Sequence, residues 1–298
     1  MEPEIFDNYV KAGKIASQVR DEFQKRIVAG AHLLEIANSV ESWIRELGGE
    51  PAFPVNISVN NVAAHYTPPA GDETAFKQGD MVKLDIGVHV NGYIGDTATT
   101  IYLGDDEKDS QLVLASKKAL EEALKLVKPG AKISEIGEAV ETAIKSLGFK
   151  PISNLTGHGL EQYDLHAEPQ IPNIKITSGY ELKEDQVIAI EPFASSGDGY
   201  VRESGETLIY MILYPQPVRN PEARQIIKLM SARQGLPFAK RWLQISDIKL
   251  RLALRELKMR NAVHEYPILK DRDNCKISQH EHTVIVRDKP VVTTRVEE

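Results

Sequence analysis

A repeat at an offset of one hundred residues restricts the fold of this chain more than any other feature. Residues 30–51, GAHLLEIANSVESWIRELGGEP, align without a gap on residues 130–151, GAKISEIGEAVETAIKSLGFKP, and ten of the 22 positions are identical. Gly30/Gly130, Glu35/Glu135, Ile36/Ile136, Val40/Val140, Glu41/Glu141, Gly48/Gly148 and Pro51/Pro151 are among them. Ile133, Ile136, Val140, Ile144 and Leu147 recur at helical spacing and a glycine follows, so each copy reads as an amphipathic helix. The terminal glycines and prolines match as well, and backbone geometry rather than a core-facing stripe sets those, which favours a true repeat over two generic helices. Each copy is followed by a histidine-bearing loop, VAAHYTP or TGHGLEQYDLHAEP, and then by a β run with a carboxylate, GDMVKLDIG or EDQVIAIEP. Two related α/β halves are expected, with polar groups from both converging in the crevice between them.

Composition removes several classes. At 298 residues a sizeable core is available, and a charged fraction of 27% with a hydrophobic fraction of 42% disfavours disordered and fibrous chains. Charges interrupt every apolar run, so no membrane-spanning helix is expected. The single cysteine, Cys275, has no intrachain partner, and the acidic opening MEPEIFDNYV lacks the layout of a secretion signal. Both point to the cytoplasm.

The run MVKLDIGVHVNGYIGDTATTIYL carries Asn91-Gly92 between two extended stretches, the strongest short-range hairpin signal. A type I′ turn there makes paired positions sum to 183, so Asp85 lies opposite Ala98 and Asp96 opposite Gly87. These four share one face, and Val82, Leu84, Ile86, Val88 and Val90 take the other. The two aspartates become diagonal neighbours roughly 7–8 Å apart at the backbone, close enough to share one cation. The alternative is a solvent-facing side of an edge hairpin. Three further candidates stand in similar settings. Glu191 ends the apolar run VIAI before Pro192, Glu281 leads into HTVIV, and His158 sits between two glycines in TGHG, where backbone approaches a site closely.

Taken together these residues resemble the methionine aminopeptidases, specifically the short type II form typical of archaea, within the wider group that shares the two-halved pita-bread fold with prolidase and aminopeptidase P. The motifs KLDIG, IGDTA, TGHG, IEPF, HEHT and AAHYTP carry the resemblance, which runs from about residue 5 to the C-terminus. It implies an α/β (α+β) pita-bread fold over residues 1–298, and five ligands, Asp85, Asp96, His158, Glu191 and Glu281, holding two divalent ions. By the family pattern Asp96 and Glu281 bridge both ions, Asp85 holds the first, and His158 and Glu191 the second. An oxygen-rich set with one imidazole suits Mn²⁺, Fe²⁺, Co²⁺ or Zn²⁺. The resemblance also implies Glu191 as general base, His166 in DLHAEP as hydrogen-bond donor to the scissile carbonyl, and His65 near the scissile nitrogen or the leaving amine. Phe53, Leu165, Phe193 and Tyr266 are implied to line the methionine pocket. The implied activity is removal of the initiator methionine from nascent chains before a small uncharged residue. A monomer is expected.

Between Glu191 and Glu281 lie 89 residues, and residues 215–265 read as inserted helices. Ile248, Leu252, Leu254, Leu257 and Met259 are expected to form a stripe after a Ser246 cap. This stretch resembles the type II helical subdomain. It holds 11 Lys/Arg against 4 Asp/Glu, a net of +7, leaving −14 on the other 247 residues of a chain whose total is −7. The ordinary meaning is a solvated helical face; the alternative is a surface for an acidic partner such as the ribosome. Two rival readings remain: an X-Pro peptidase of the prolidase or aminopeptidase P kind, and a non-catalytic binding protein of the same fold.

Overall fold

A computed structural model describes residues 1–295. The repeat is visible at once. Helices α1 (Pro3–Phe23) and α2 (Leu33–Glu46) serve the first half, and α3 (Glu107–Leu124) and α4 (Ile133–Ser146) the second. Both α2 and α4 are 14 residues long, and each leads into a two-residue strand, Glu50–Pro51 or Lys150–Pro151. Repeat residues Ile36, Val40 and Ile44 enter the first core, and Ile136, Val140 and Ile144 the second.

The first half is built on the hairpin Met81–Val90 and Tyr93–Tyr102. Asn91 and Gly92 have φ of 53° and 87°, the left-handed pair that a type I′ turn requires. The register follows: Val90 pairs with Tyr93, Gly87 with Asp96, and Asp85 with Ala98. Val82, Leu84, Ile86, Val88 and Val90 pack against Ala12, Ile15 and Val19 of α1 and the inner face of α2. That burial turns the aspartate face the other way, toward the second half. The solvent-facing alternative is thereby excluded.

In the second half, strands Val187–Ile190 and His282–Ile285 pair antiparallel beneath α3 and α4. The TGHG and DLHAEP segments, expected as loops, are instead strands Thr156–Glu161 and Asp164–Pro172 of a tight hairpin. The reason is legible in their neighbours. A Cβ on Gly157 would lie 2.3 Å from the Ala189 carbonyl oxygen and one on Gly159 2.3 Å from that of Glu168, so these glycines serve close strand packing. In the second strand Leu165, Ala167, Pro169 and Ile171 alternate inward.

The halves meet along a seam of threonines. Thr97 Oγ1 donates to the Glu281 carbonyl (2.9 Å), and Thr100 Oγ1 to that of Gln279 (2.6 Å). Thr283 Oγ1 donates to the Asp96 carbonyl at 2.9 Å and accepts from the Asp96 N–H at 2.7 Å. The Glu281 N–H reaches the Ala98 carbonyl at 3.0 Å. Asp96 and Glu281 are thus held by their own backbones on opposite sides of one joint.

Between Ile212 and Val263 the chain leaves one strand of an antiparallel pair, Arg202–Ile212, and returns on the other, Val263–Lys270. The strand already contains Glu265, which the sequence had placed in the helical stretch. Helices α5 (Pro221–Met230) and α6 (Asp247–Met259) lie between. The α6 stripe differs from expectation: Leu250, Ala253, Leu254 and Leu257 are buried, whereas Ile248 (67%), Leu252 (55%) and Met259 (73%) are exposed. The buried set follows i, i+3, i+4, i+7, so Leu250 and Ala253 set the face and Ile248, Leu252 and Met259 fall outside it. Ser246 occupies the N-cap position without a capping side-chain bond. No described helix is long and apolar enough to cross a membrane.

Candidate metal centre

A narrow cleft opens between the halves. Its lining includes Asp85, Asp96, His158, Glu191 and Glu281 together with His65 and His166. Ligand atoms of Asp96, His158 and Glu281 lie within 4.8 Å of one another. Glu191 completes the approach, with its Oε1 3.7 Å from His158 Nε2; Asp96 Oδ2 is 3.9 Å from the same nitrogen. Asp85 enters from the neighbouring strand position of the hairpin.

The electrostatics of this group ask for cations. Burial, followed by repulsion among themselves, holds the Asp96, Glu191 and Glu281 carboxyls well above the carboxylate range, and burial pushes Asp85 up to about 7. Among the described residues no lysine or arginine pairs with any of the four. Asp85 Oδ1 and Asp96 Oδ1 are buried without a hydrogen-bond partner. Among the described residues the donor shared by the acids is the Gln279 amide, 3.3 Å from Glu191 Oε2 and 3.5 Å from Glu281 Oε2. Four crowded acids, Asp96 and Glu281 buried and Asp85 and Glu191 half-buried, two of them with an orphaned oxygen, are costly unless they hold protons or metal ions. His158 is set for the second option. Its Nδ1 donates to the Gly159 carbonyl at 3.1 Å, which leaves the Nε2 lone pair facing the acids, and burial lowers its pKa to about 4. A neutral imidazole with a free Nε2 and four carboxylates make a donor set that fits divalent metal ions.

Two more histidines stand over this group. His65 has φ of 64°, uncommon for a non-glycine residue, and its Nδ1 donates to the Pro267 carbonyl at 3.0 Å. Nε2 is therefore an acceptor toward the cleft, and burial lowers its pKa to about 4. His166 packs its ring 4.7 Å from that of His158. It keeps an exposed edge, yet the enclosing cleft walls and then the imidazoles of His158, His65 and His264 hold its pKa well below the usual value.

Of the four residues expected in an apolar pocket, Phe53, Leu165 and Tyr266 line the cleft. Phe193 does not. It begins a short strand paired with Ile277–Gln279, and that pairing turns its ring into a separate cluster with Ala63, Ile152 and Ile277. Ile209 and Pro237 stand in the lining instead. Phe53 is fixed by the segment between Ile212 and Val263: Arg233 donates to the Pro51 and Ala52 carbonyls at 2.8 and 3.0 Å, and Trp242 Nε1 donates to Glu41, whose other oxygen takes the Val55 N–H. Arg241 pairs with Glu41 as well. A Cβ on Gly87 would lie 2.1 Å from the Phe53 ring. Gly87→Ala is thus expected to displace Phe53 and raise KM for a methionyl peptide roughly tenfold, with a smaller change in kcat, as overpacking costs of about 1–3 kcal/mol imply. Steady-state kinetics decide this; an unchanged KM means Phe53 does not touch substrate.

The sequence did not reveal Asn56, Gln279 or the seam threonines. Gln279 was within reach, since it precedes Glu281 by two and so shares its strand face.

Comparison with known proteins fixes the family. The model of metallopeptidase family M24 matches residues 7–234. The chain belongs to that family. A methionine aminopeptidase of Pyrococcus abyssi is 48% identical over 293 residues, covering 97% of this chain and 99% of its own length. Another, from Methanocaldococcus jannaschii, is 45% identical over 297 residues, covering 99% of this chain and 100% of its own length. Among solved structures, a thermophilic Arx1 superposes with a TM-score of 0.87 at 18% identity, covering 100% of this chain and 92% of the other. The methionine aminopeptidase of Thermotoga maritima gives 0.74 at 24%, covering 99% and 98%. Pyrococcus furiosus prolidase gives 0.65 at 20%, covering 100% of this M24 chain but 65% of the prolidase. These likenesses place the fold in the pita-bread class.

Proposed function

We propose that this chain removes the N-terminal methionine from new polypeptides by metal-assisted hydrolysis, with a preference for a small uncharged second residue. The observation that carries the reading is the cluster of four carboxylates, Asp96 and Glu281 buried and Asp85 and Glu191 half-buried, with no lysine or arginine partner among the described residues, around the free Nε2 of a neutral His158. Asp85, Asp96, His158, Glu191 and Glu281 would hold two divalent ions, of Mn, Fe, Co or Zn. Such ions, when bound, lower the pKa of water and stabilise a developing oxyanion.

The remaining steps belong to the side chains. Glu191, at the edge of the cluster, takes the proton of the attacking water and passes it on to the departing amine. His166 has no ring hydrogen bond among the described contacts, so its N–H is free to donate to the carbonyl oxygen as charge builds there. His65, fixed as a Nε2 acceptor by its bond to Pro267, receives the N–H of the scissile peptide. Phe53, Leu165 and Tyr266, with Ile209 and Pro237, offer an apolar wall for a thioether side chain.

The decisive experiment is metal-dependent hydrolysis of Met-Ala-Ser beside Xaa-Pro peptides. Methionine release from the first alone supports the reading, Xaa-Pro cleavage supports the prolidase-like alternative, and no cleavage with any divalent metal leaves the binding-protein alternative. A second reading concerns the inserted segment, whose +7 charge and exposed Ile248, Leu252 and Met259 suit an acidic partner such as the ribosome. Ribosome co-sedimentation should then weaken steeply with salt as counterions are released. Absent or salt-independent binding returns this surface to a solvated face.

A further inference from the structure

The cleft holds one polar atom that neither the metal ligands nor the histidines explain. Asn56, on strand Asn56–Val59, pairs in register with Asp85 and lines the cleft beside it. The residue is 5% exposed. Its amide orientation is fixed, because Nδ2 donates to the Pro54 carbonyl at 2.9 Å, so the oxygen is the free end. That Oδ1 is buried with no hydrogen-bond partner. A buried acceptor left unmade is a standing cost, and such atoms persist in folded proteins where something else supplies the donor.

The chemistry narrows the donor. Every other side-chain oxygen in the cleft lining, apart from the Tyr266 hydroxyl, belongs to a carboxylate of the metal cluster. Once those oxygens are committed to ions, Asn56 Oδ1 is the neutral acceptor that remains beside Asp85. A peptidase confined to chain ends must read a free α-amino group, which brings two or three N–H donors whether or not it is protonated. From this the geometry points to Asn56 as the residue that receives the α-amino group of the substrate, through Oδ1, and so helps to restrict cleavage to the first residue. The inference rests on the hydrolytic reading above and deepens it.

The test compares two ligands that differ only in the amine, L-methionine and 4-(methylthio)butanoate, by titration calorimetry on the metal-loaded enzyme. Wild type should bind methionine more tightly. Asn56→Leu, nearly equal in size but without the acceptor, should reduce that preference about 10–100-fold, the loss expected for a hydrogen bond to a charged group. Affinity for the desamino ligand and the metal content by mass spectrometry should match wild type. A preference that survives in Asn56→Leu overturns the assignment. So does a loss of metal, or an equal weakening of both ligands, since either means that Asn56 serves the ions. Asn56→Ala reads the same preference should the leucine variant fail to fold. Failure of wild type to release methionine from Met-Ala-Ser is a separate result, which removes the underlying reading itself.

Discussion

Stripping divalent metal is expected to lower Tm by roughly 5–10 °C at pH 8 and by much less at pH 5. Ligand at about 100 times its Kd adds about 2.7 kcal/mol, and a domain of this size gains a few degrees per kcal/mol. The pH dependence comes from the four acids. Their folded pKa values are raised above those of the unfolded chain, so the metal-free folded state binds more protons, and its stability falls as pH rises. For Asp85 the decline begins near the ordinary carboxylate pKa and is complete above about 7. Metal ions displace those protons, so their stabilising effect should grow across the same window. Differential scanning calorimetry of chelated and reloaded protein at the two pH values checks this. A metal effect that is absent, or larger at pH 5, would remove the two-ion reading of the cluster.

His166→Ala is expected to lower kcat by about 10²–10³, the usual consequence of losing a donor to a developing oxyanion. KM for a Met-Ala peptide, metal content and Tm should stay close to wild type. His158→Ala should behave differently. Its Nε2 faces Asp96 and Glu191 at 3.9 and 3.7 Å, so its loss should cost at least about 100-fold in metal affinity together with activity. The two rings stand 4.7 Å apart, which makes the contrast a sharp test of role rather than location. If His166→Ala sheds metal, or keeps kcat within a few-fold of wild type, the donor role fails.

Much of this site is legible in the sequence, for an identifiable reason. Asn91-Gly92 fixes a turn type, the turn fixes the register, and the register alone puts Asp85 and Asp96 on one face. The repeat is equally local, because amphipathic period and terminal glycines survive in α2 and α4. What escaped depends on contacts between distant segments. Gly157 and Gly159 look like loop formers in isolation and become strand residues because Ala189 and Glu168 press against them. In α6, apolar residues lie on two faces, and only packing against α5 and the returning strand selects Leu250 and Ala253 over Ile248 and Leu252. Phe193 was misplaced because Pro192 hides the direction in which the following strand turns. Asn56 gave no signal, since an asparagine in NISVNN reads as a turn residue until its partners are known.

The seam of threonines also sets a timetable. Asp96 and Thr283, which bond each other across it, are 187 residues apart in the chain. At synthesis rates of about 5–20 residues per second, the hairpin waits about 10–40 s for the segment that closes its acidic face. Until then Asp85 and Asp96 lack His158, Glu191 and Glu281 in turn, and no partial product of translation possesses the full set of proposed ligands. On the proposed ligand set, a copy still being made is inert as a hydrolase, and competence arrives when the last carboxylate docks against the hairpin.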